Sequence, residues 1–212
     1  MTASYDVIGD IHGHAAKLEA LLRKLGYVPS AGSWIPPQGR MAVFVGDLID
    51  RGPEQMEVVR IVRSMIDASH ARAIMGNHEF NAIAYATRRD DGSAGFLREH
   101  TAKNIGQHAA FLAQVKEGSA EHLELIEWFR KLPPMLDLDG LRVVHAWWHD
   151  PYVDQVASQW APSTPMSDAF LIAASTKGTA EYQAMEGLTK GLEVSLPDGQ
   201  SFLDHAGNVR HE

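Results

Sequence analysis

Three short stretches of this chain are built from side chains that bind cations or carry protons. They are Gly9-Asp10-Ile11-His12-Gly13, Gly46-Asp47-Leu48-Ile49-Asp50-Arg51-Gly52-Pro53 and Gly76-Asn77-His78-Glu79. Carboxylate, imidazole and amide without sulfur form a ligand set for Mn²⁺, Fe²⁺ or Zn²⁺ rather than for copper or a structural zinc cage. Two aspartates, two histidines and an asparagine crowded together repel or go unsatisfied unless a cation neutralises them, and two cations do so better. Asp47, with ligand types on both sides of it in sequence, is placed to bridge two ions. Two metals roughly 3.5–4 Å apart can hold a hydroxide nucleophile and clamp a phosphoryl group for in-line attack. Arg51, at a helix N-terminus, adds a bidentate grip on phosphate. His78 is placed to protonate a leaving oxygen, with Asp50 fixing its tautomer. Each residue also has a plainer reading. Asp10 and Asn77 suit helix caps, Arg51 could pair with Asp47 or Asp50 at the surface, and Glu79 could be a first-turn charge favoured by the helix dipole.

What brings these stretches together is the order of elements. YDVIGD, MAVFVGD and ARAIMGN each read as a short strand running into one of the three blocks, and each is followed by a helical pattern. Leu18, Leu21, Leu22 and Leu25 recur at helical spacing, with Gly26 suited to the C′ position. Val58, Ile61, Val62 and Met65 do the same in a helix expected to begin near Pro53. A third helix runs to about Thr87. Strand–helix units in succession imply a parallel sheet, and ligands bind beyond the carboxyl ends of such strands, so the three blocks share one edge. Between the first two units, VPSAGSWIPPQG is expected to be an irregular loop because of its Pro and Gly content.

Farther along, residues 88–132 read as a helical excursion or cap, helical from about Glu121, with Leu125, Trp128, Phe129 and Leu132 as its stripe. MLDLDGLRVVH reads as a hairpin turning at Asp139-Gly140, and its second strand runs into His145. Past Pro151 the signals are weak, with helices expected near 166–174 and 178–188. Met41, Met56, Met65 and Met75 are expected in the core. His14, His70, His100, His108 and His122 are expected to be solvated or capping residues.

Composition bounds the rest. The 212 residues are 45% hydrophobic and 22% charged, ordinary for one globular domain spanning 1–212. Lys+Arg of 19 against Asp+Glu of 27 gives a net charge of -8, which offers no strong nucleic-acid footprint. There is no cysteine, so neither disulfides nor thiolate metal sites are possible. No secretory pattern opens the chain and no apolar run reaches membrane-spanning length, so a soluble cytoplasmic protein with no membrane partner is expected.

GDIHG (9–13), GDLIDRGP (46–53) and GNHE (76–79), in that order, resemble the signature blocks of calcineurin-like metallophosphoesterases. Asp-Arg-Gly in the second block resembles the phosphoprotein-phosphatase branch, which also holds symmetrical diadenosine tetraphosphatases. The resemblance covers residues 5–86 and 141–150. It implies an α/β (α+β) fold, a two-sheet β-sandwich flanked by helices with the site at the strand ends. It implies two divalent ions, manganese first, with Fe²⁺, Zn²⁺ or Mg²⁺ as alternatives. Asp10, His12 and Asp47 would bind one ion, and Asp47, Asn77 and His145 the other. Arg51 would bind phosphate, and His78 with Asp50 would form the acid and its carboxylate partner. The activity implied is hydrolysis of phosphomonoesters or nucleoside polyphosphates by a metal-activated hydroxide. The substrate would be a phosphorylated small molecule, a nucleotide or a phosphoprotein.

Two departures qualify that pattern. His145-Ala146-Trp147-Trp148 stands where many of these phosphatases have His-Gly-Gly or His-Ala-Gly. One indole is expected to be buried and the other near the site, where a base could stack on it. In addition, no Gly-His pair follows residue 150, where the family draws a further ligand from a late strand. Only His149, His205 and His211 remain. The expectation is a shortened C-terminal sheet and a weakened second metal site. In the extreme case the chain would be a metal-binding regulatory module with little turnover.

Overall fold

The computed structural model describes residues 4–30, 32–89, 94–160, 164–192, 194–203, 207 and 209–210. The chain begins with β1 (Ser4–Ile8) and α1 (Ala15–Lys24), then β2 (Val28–Ser30), β3 (Ser33–Ile35) and β4 (Arg40–Phe44). α2 (Gln55–Asp67), β5 (Ala71–Ala73) and α3 (Asn77–Ala86) follow. Strands β1, β4 and β5 form a parallel sheet in the order β1-β4-β5, with Val7 opposite Val43 and Phe44 opposite Ala73. The expected strand–helix repeat therefore builds the platform.

Alternation along β4 assigns its two faces. Ala42 and Phe44 join the large core shared with Leu18 and Leu22 of α1 and with Val58, Ile61, Val62 and Met65 of α2. Val43 faces the other way and packs with Ile74 and Val143. Val143 arrives on a hairpin of β6 (Met135–Leu138) and β7 (Leu141–Val144), paired with Leu138 opposite Leu141 around Gly140. The second layer of the sandwich is thus this two-stranded hairpin among the described residues. Met65 and Met75 are fully buried, while Met41 and Met56 are half-buried.

Four local expectations need correction. VPSAGSWIPPQG contains the β2–β3 hairpin, with Pro29 opposite Trp34. Gly32 takes the left-handed turn conformation at φ +84°, Pro29 sits where no ladder donor is needed, and burial of Trp34 repays the ordering. α2 starts at Gln55 rather than Pro53. The buried Gln55 amide accepts from Asp50 N–H and donates to Gly52 C=O, so it serves the preceding loop before the helix can begin. The excursion holds an unexpected helix α4 (Ala102–Leu112), capped by Thr101, before α5 (Ala120–Phe129). The buried face of α4 includes His108, which dilutes the apolar stripe. α6 (Asp150–Ala157) was also hidden, since Val156 is its only fully buried side chain.

α7 (Asp168–Ala174) and α8 (Ala180–Lys190) fall where expected, and a small exposed ladder, β8 (Phe202–Leu203) with β9 (Val209–Arg210), ends the description. His205 and His211 lie outside the described residues. Among the described residues no helix is long and apolar enough to cross a membrane.

Candidate active site

The three parallel strands and β7 deliver their next residues to one edge. Asp10 and His12 follow β1, Asp47, Asp50 and Arg51 follow β4, Asn77 and His78 follow β5, and His145 follows β7. At the centre is Asp47, whose Oδ2 lies 3.5 Å from His145 Nε2, 3.6 Å from His12 Nε2 and 3.8 Å from His78 Nε2. Asp10 Oδ2 is 3.7 Å from His12 Nε2. The donor atoms form two groups, His12–Asp47–His78 and Asp10–Asp47–His145, with Asp47 common to both. Asn77 occupies the first position of α3, half-buried beside His78.

The imidazole tautomers follow from the backbone. His12 Nδ1 lies 2.9 Å from the Ile49 carbonyl and His145 Nδ1 2.6 Å from the Val45 carbonyl. A carbonyl only accepts, so each Nδ1 carries a proton and each Nε2 turns its lone pair toward Asp47. Lone pairs aimed at a carboxylate oxygen require a cation between them. His12 Nε2 is buried with no hydrogen-bond partner. Burial pulls the His12 imidazole below its usual value. Burial likewise disfavours charge on His145, but the adjoining Asp47 outweighs it and pushes that imidazole up to about 9. These donors fit divalent metal ions.

A second arrangement centres on Asp50. Its Oδ2 is 2.6 Å from His78 Nδ1, and its Oδ1 is 2.9 Å from His108 Nδ1. Burial raises the Asp50 carboxyl, but the bonds from His108 and His78 overcome this and leave it below the usual range. The His78 imidazole is disfavoured by burial yet raised on balance by Asp50 and Asp47. His108, expected to be solvated or capping, is instead buried against Asp50. His122 is buried too and accepts the Gly118 N–H at 3.2 Å, while His100 stacks between Tyr85 and Phe96.

The loops that hold these groups have little freedom. His12, Asp47, Asp50 and Arg51 have φ of 46°, 52°, 70° and 68°, a region that side chains other than glycine enter at a cost. A Cβ on Gly46 would come within 2.1 Å of the Gly76 nitrogen, and one on Gly52 within 2.3 Å of the His12 carbonyl oxygen. Only glycine permits these approaches. Glu79 ties the loops together and is fully buried. Its Oε2 accepts from the N–H groups of Asp47 and Gly76 at 2.9 Å each, and its Oε1 accepts from Leu48 at 2.8 Å. Burial and the Asp47 charge push the Glu79 carboxyl up, while these donors favour its ionised form. Its part in the site is thus larger than that of a first-turn charge.

Arg51 is exposed and forms no ion pair with Asp47 or Asp50 among the described residues. It lines an open cleft of about 360 Å³ with Asp10, His12, His14 and Lys17. Trp147 and Trp148 depart from expectation, since both are half-buried. Trp147 stacks on His149 at 4.4 Å, and Trp148 donates to Asp150 at 2.8 Å with Arg142 over its ring. The immediate start of α6 at Asp150 keeps both indoles on the outer connection rather than in the core.

The chain is also similar to known proteins. A model of the family described as calcineurin-like phosphoesterase matches residues 4–175. The asymmetrical bis(5'-nucleosyl)-tetraphosphatase PrpE of Halalkalibacterium halodurans is 47% identical over 117 residues, covering 53% of this chain and 48% of that protein. A symmetrical bis(5'-nucleosyl)-tetraphosphatase of Janthinobacterium sp. is 32% identical over 139 residues, covering 66% of this chain and 42% of its own length. The solved structure of a cold-active protein-tyrosine phosphatase from a psychrophilic Shewanella sp. aligns with a TM-score of 0.48 at 17% identity, covering 88% of this chain and 52% of that one. The chain spans about half the length of the curated relatives it matches. With its three blocks, their shared sheet edge and a family match over most of its residues, the chain belongs to the calcineurin-like phosphoesterases.

Proposed function

We propose that this protein is a metal-dependent hydrolase of phosphomonoesters or nucleoside polyphosphates. The observation that carries the reading is the convergence of three imidazole Nε2 atoms on one buried carboxylate oxygen of Asp47, at 3.5, 3.6 and 3.8 Å. In this reading Asp10, His12, Asp47, Asn77 and His145 hold two divalent ions, with Asp47 shared. We assign manganese on the basis of the sulfur-free donor set, with Fe²⁺, Zn²⁺ and Mg²⁺ as its competitors. When bound, such ions supply Lewis-acid activation of water and neutralise phosphoryl oxygens.

The chain's own residues do the rest. Arg51, which pairs with neither Asp47 nor Asp50 among the described residues, grips non-bridging phosphate oxygens from the open cleft. Asp50 holds His78 by Nδ1, which leaves Nε2 to present a proton to the leaving oxygen. Glu79 and the glycines keep the donor loops at fixed separation. We take residues 1–212 as one working domain, with Arg98 and α4 forming a wall of the site. We place it as a soluble cytoplasmic protein, a reading that the acidic, cysteine-free composition supports.

The test is a hydrolysis screen of an aryl phosphate, a phosphopeptide and diadenosine tetraphosphate, each with Mn²⁺, Mg²⁺ and Zn²⁺. Metal-stimulated turnover, strongest with Mn²⁺, is expected. Metal binding without hydrolysis of any substrate would overturn the enzyme reading and leave a metal-binding module.

A further inference from the structure

Asp50, His78 and His108 also line a second, partly open cavity of about 40 Å³. That is room for about three waters, or for a single tetrahedral oxyanion. Asn77, Asn81, Tyr85, Arg98, Asn104 and Gln107 complete its wall. Arg98 is the single Arg or Lys among the lining residues, and both of its hydrogen-bond partners are neutral amides. One is the Asn81 carbonyl oxygen and the other is Gln107 Oε1 at 2.8 Å. Among the described residues no carboxylate pairs with it, and nearby Asp50 is already engaged by two imidazoles. Burial pulls the guanidinium below its usual value, only partly offset by the Asp50 and Glu186 charges. This is a half-buried cation with no ion-pair partner among the described residues, in a small polar cavity.

Its position identifies the missing anion. The cavity shares His78, the proton donor proposed above, so a group bound there lies beside the leaving oxygen. A serine or threonine leaving group is neutral and arrives with a peptide backbone. The leaving group of a phosphoanhydride is itself a phosphate, compact and anionic. It needs charge neutralisation more than a proton, and Arg98 supplies the charge.

We propose that this cavity is a subsite for a leaving phosphate with Arg98 as its binding residue, so that phosphoanhydrides are cleaved in preference to simple phosphate esters. The inference rests on the hydrolase reading above. In the step, the oxygen of water bonds to the attacked phosphorus and the bond from that phosphorus to the bridging oxygen breaks. The bridging oxygen departs with the electron pair as an oxygen of the leaving phosphate. It takes the proton of His78, which one proton of the attacking water replaces, and the other remains on the newly formed phosphate.

The experiment compares kcat/KM for inorganic tripolyphosphate and for an aryl phosphate, with Mn²⁺, in wild type, Arg98→Gln and Arg98→Lys. A charged hydrogen bond to phosphate is worth about 1.5–3 kcal/mol. The tripolyphosphate-to-aryl-phosphate ratio should therefore fall about 10- to 100-fold in Arg98→Gln. Arg98→Lys should recover part of it, and it carries the comparison alone if Arg98→Gln fails to fold. Inhibition by inorganic phosphate should weaken in parallel. An unchanged ratio would overturn the proposal, as would an equal fall on both substrates, which marks Arg98 as a clamp between α3 and α4. If wild type turns over the aryl phosphate but not tripolyphosphate, the subsite falls and the hydrolase reading stands. If it turns over neither substrate and no nucleoside polyphosphate, the hydrolase reading itself fails.

Discussion

The loops after β1, β4 and β5 and the helix α4 serve the same site by opposite means. The loops place Asp10, His12, Asp47, Asp50 and Arg51 with a backbone forced into positive φ at four of these five residues. They are held there by Glu79, by Gln55 and by glycines that no other residue can replace. α4 places His108 by ordinary helix geometry, with a Thr101 cap and Phe111 as its buried anchor. The difference separates two kinds of control. In the loops, position is over-determined and a single loss propagates. On α4, a side chain can change with a local and graded effect.

The largest effect should come from the hub of the loops. Asp47→Asn removes the shared carboxylate charge, and a loss of at least about 10³-fold in kcat/KM on any phosphoester is expected. His78→Ala should cost about 10²–10⁴-fold. Either variant working at wild-type rate with Mn²⁺ would end the loop assignment. Next in size is Glu79→Ala, which leaves at least three buried N–H groups without an acceptor. A destabilisation of about 3–5 kcal/mol is expected, readable as a lower urea midpoint. An unshifted midpoint would show that the loops hold themselves.

The α4 side should give smaller numbers. His108→Ala removes one of the two imidazoles on Asp50 while leaving His78 in place. An approximately tenfold fall in kcat with unchanged Mn²⁺ affinity is expected, with partial recovery in His108→Gln. A loss as large as that of His78→Ala would erase the distinction between the regions. Smallest is a pH effect at His122. Burial lowers its imidazole, with the neighbouring His108 adding to the shift, and its neutral ring accepts from Gly118. The folded state thus resists a proton that the unfolded chain takes up near about pH 6.5. Its contribution is present above that value and is lost as pH falls below it. His122→Gln should flatten the acid side of the stability profile, as measured by denaturant midpoints between about pH 5 and 7.

Legibility in the sequence follows the same division. Asp10, His12, Asp47, Asp50, Asn77 and His78 were visible because each lies within a few residues of the end of an apolar strand. Spacing alone thus placed them on one edge. His145 needed the hairpin, whose Asp139-Gly140 turn was also local. His108 was not legible, because its partner Asp50 is 58 residues away and only the packing of α4 joins them. Nor was the left-handed backbone at His12, Asp47, Asp50 and Arg51, since none of these is a glycine and distant partners hold it, Glu79 at Asp47 and Gln55 at Asp50. Trp147 and Trp148 misled for a similar reason. One was expected in the core and the other beside the site, but both are half-buried where α6 begins at Asp150.

The central claim is that Asp47 is shared by two metal ions held with Asp10, His12, Asn77 and His145. Calorimetric titration of the metal-free protein with Mn²⁺, in wild type and in Asp47→Asn, tests it most directly. Wild type should bind about two ions, one tightly and one more weakly, and Asp47→Asn should lose both tight binding and the second ion. No binding by wild type, or the same isotherm in Asp47→Asn, would contradict it.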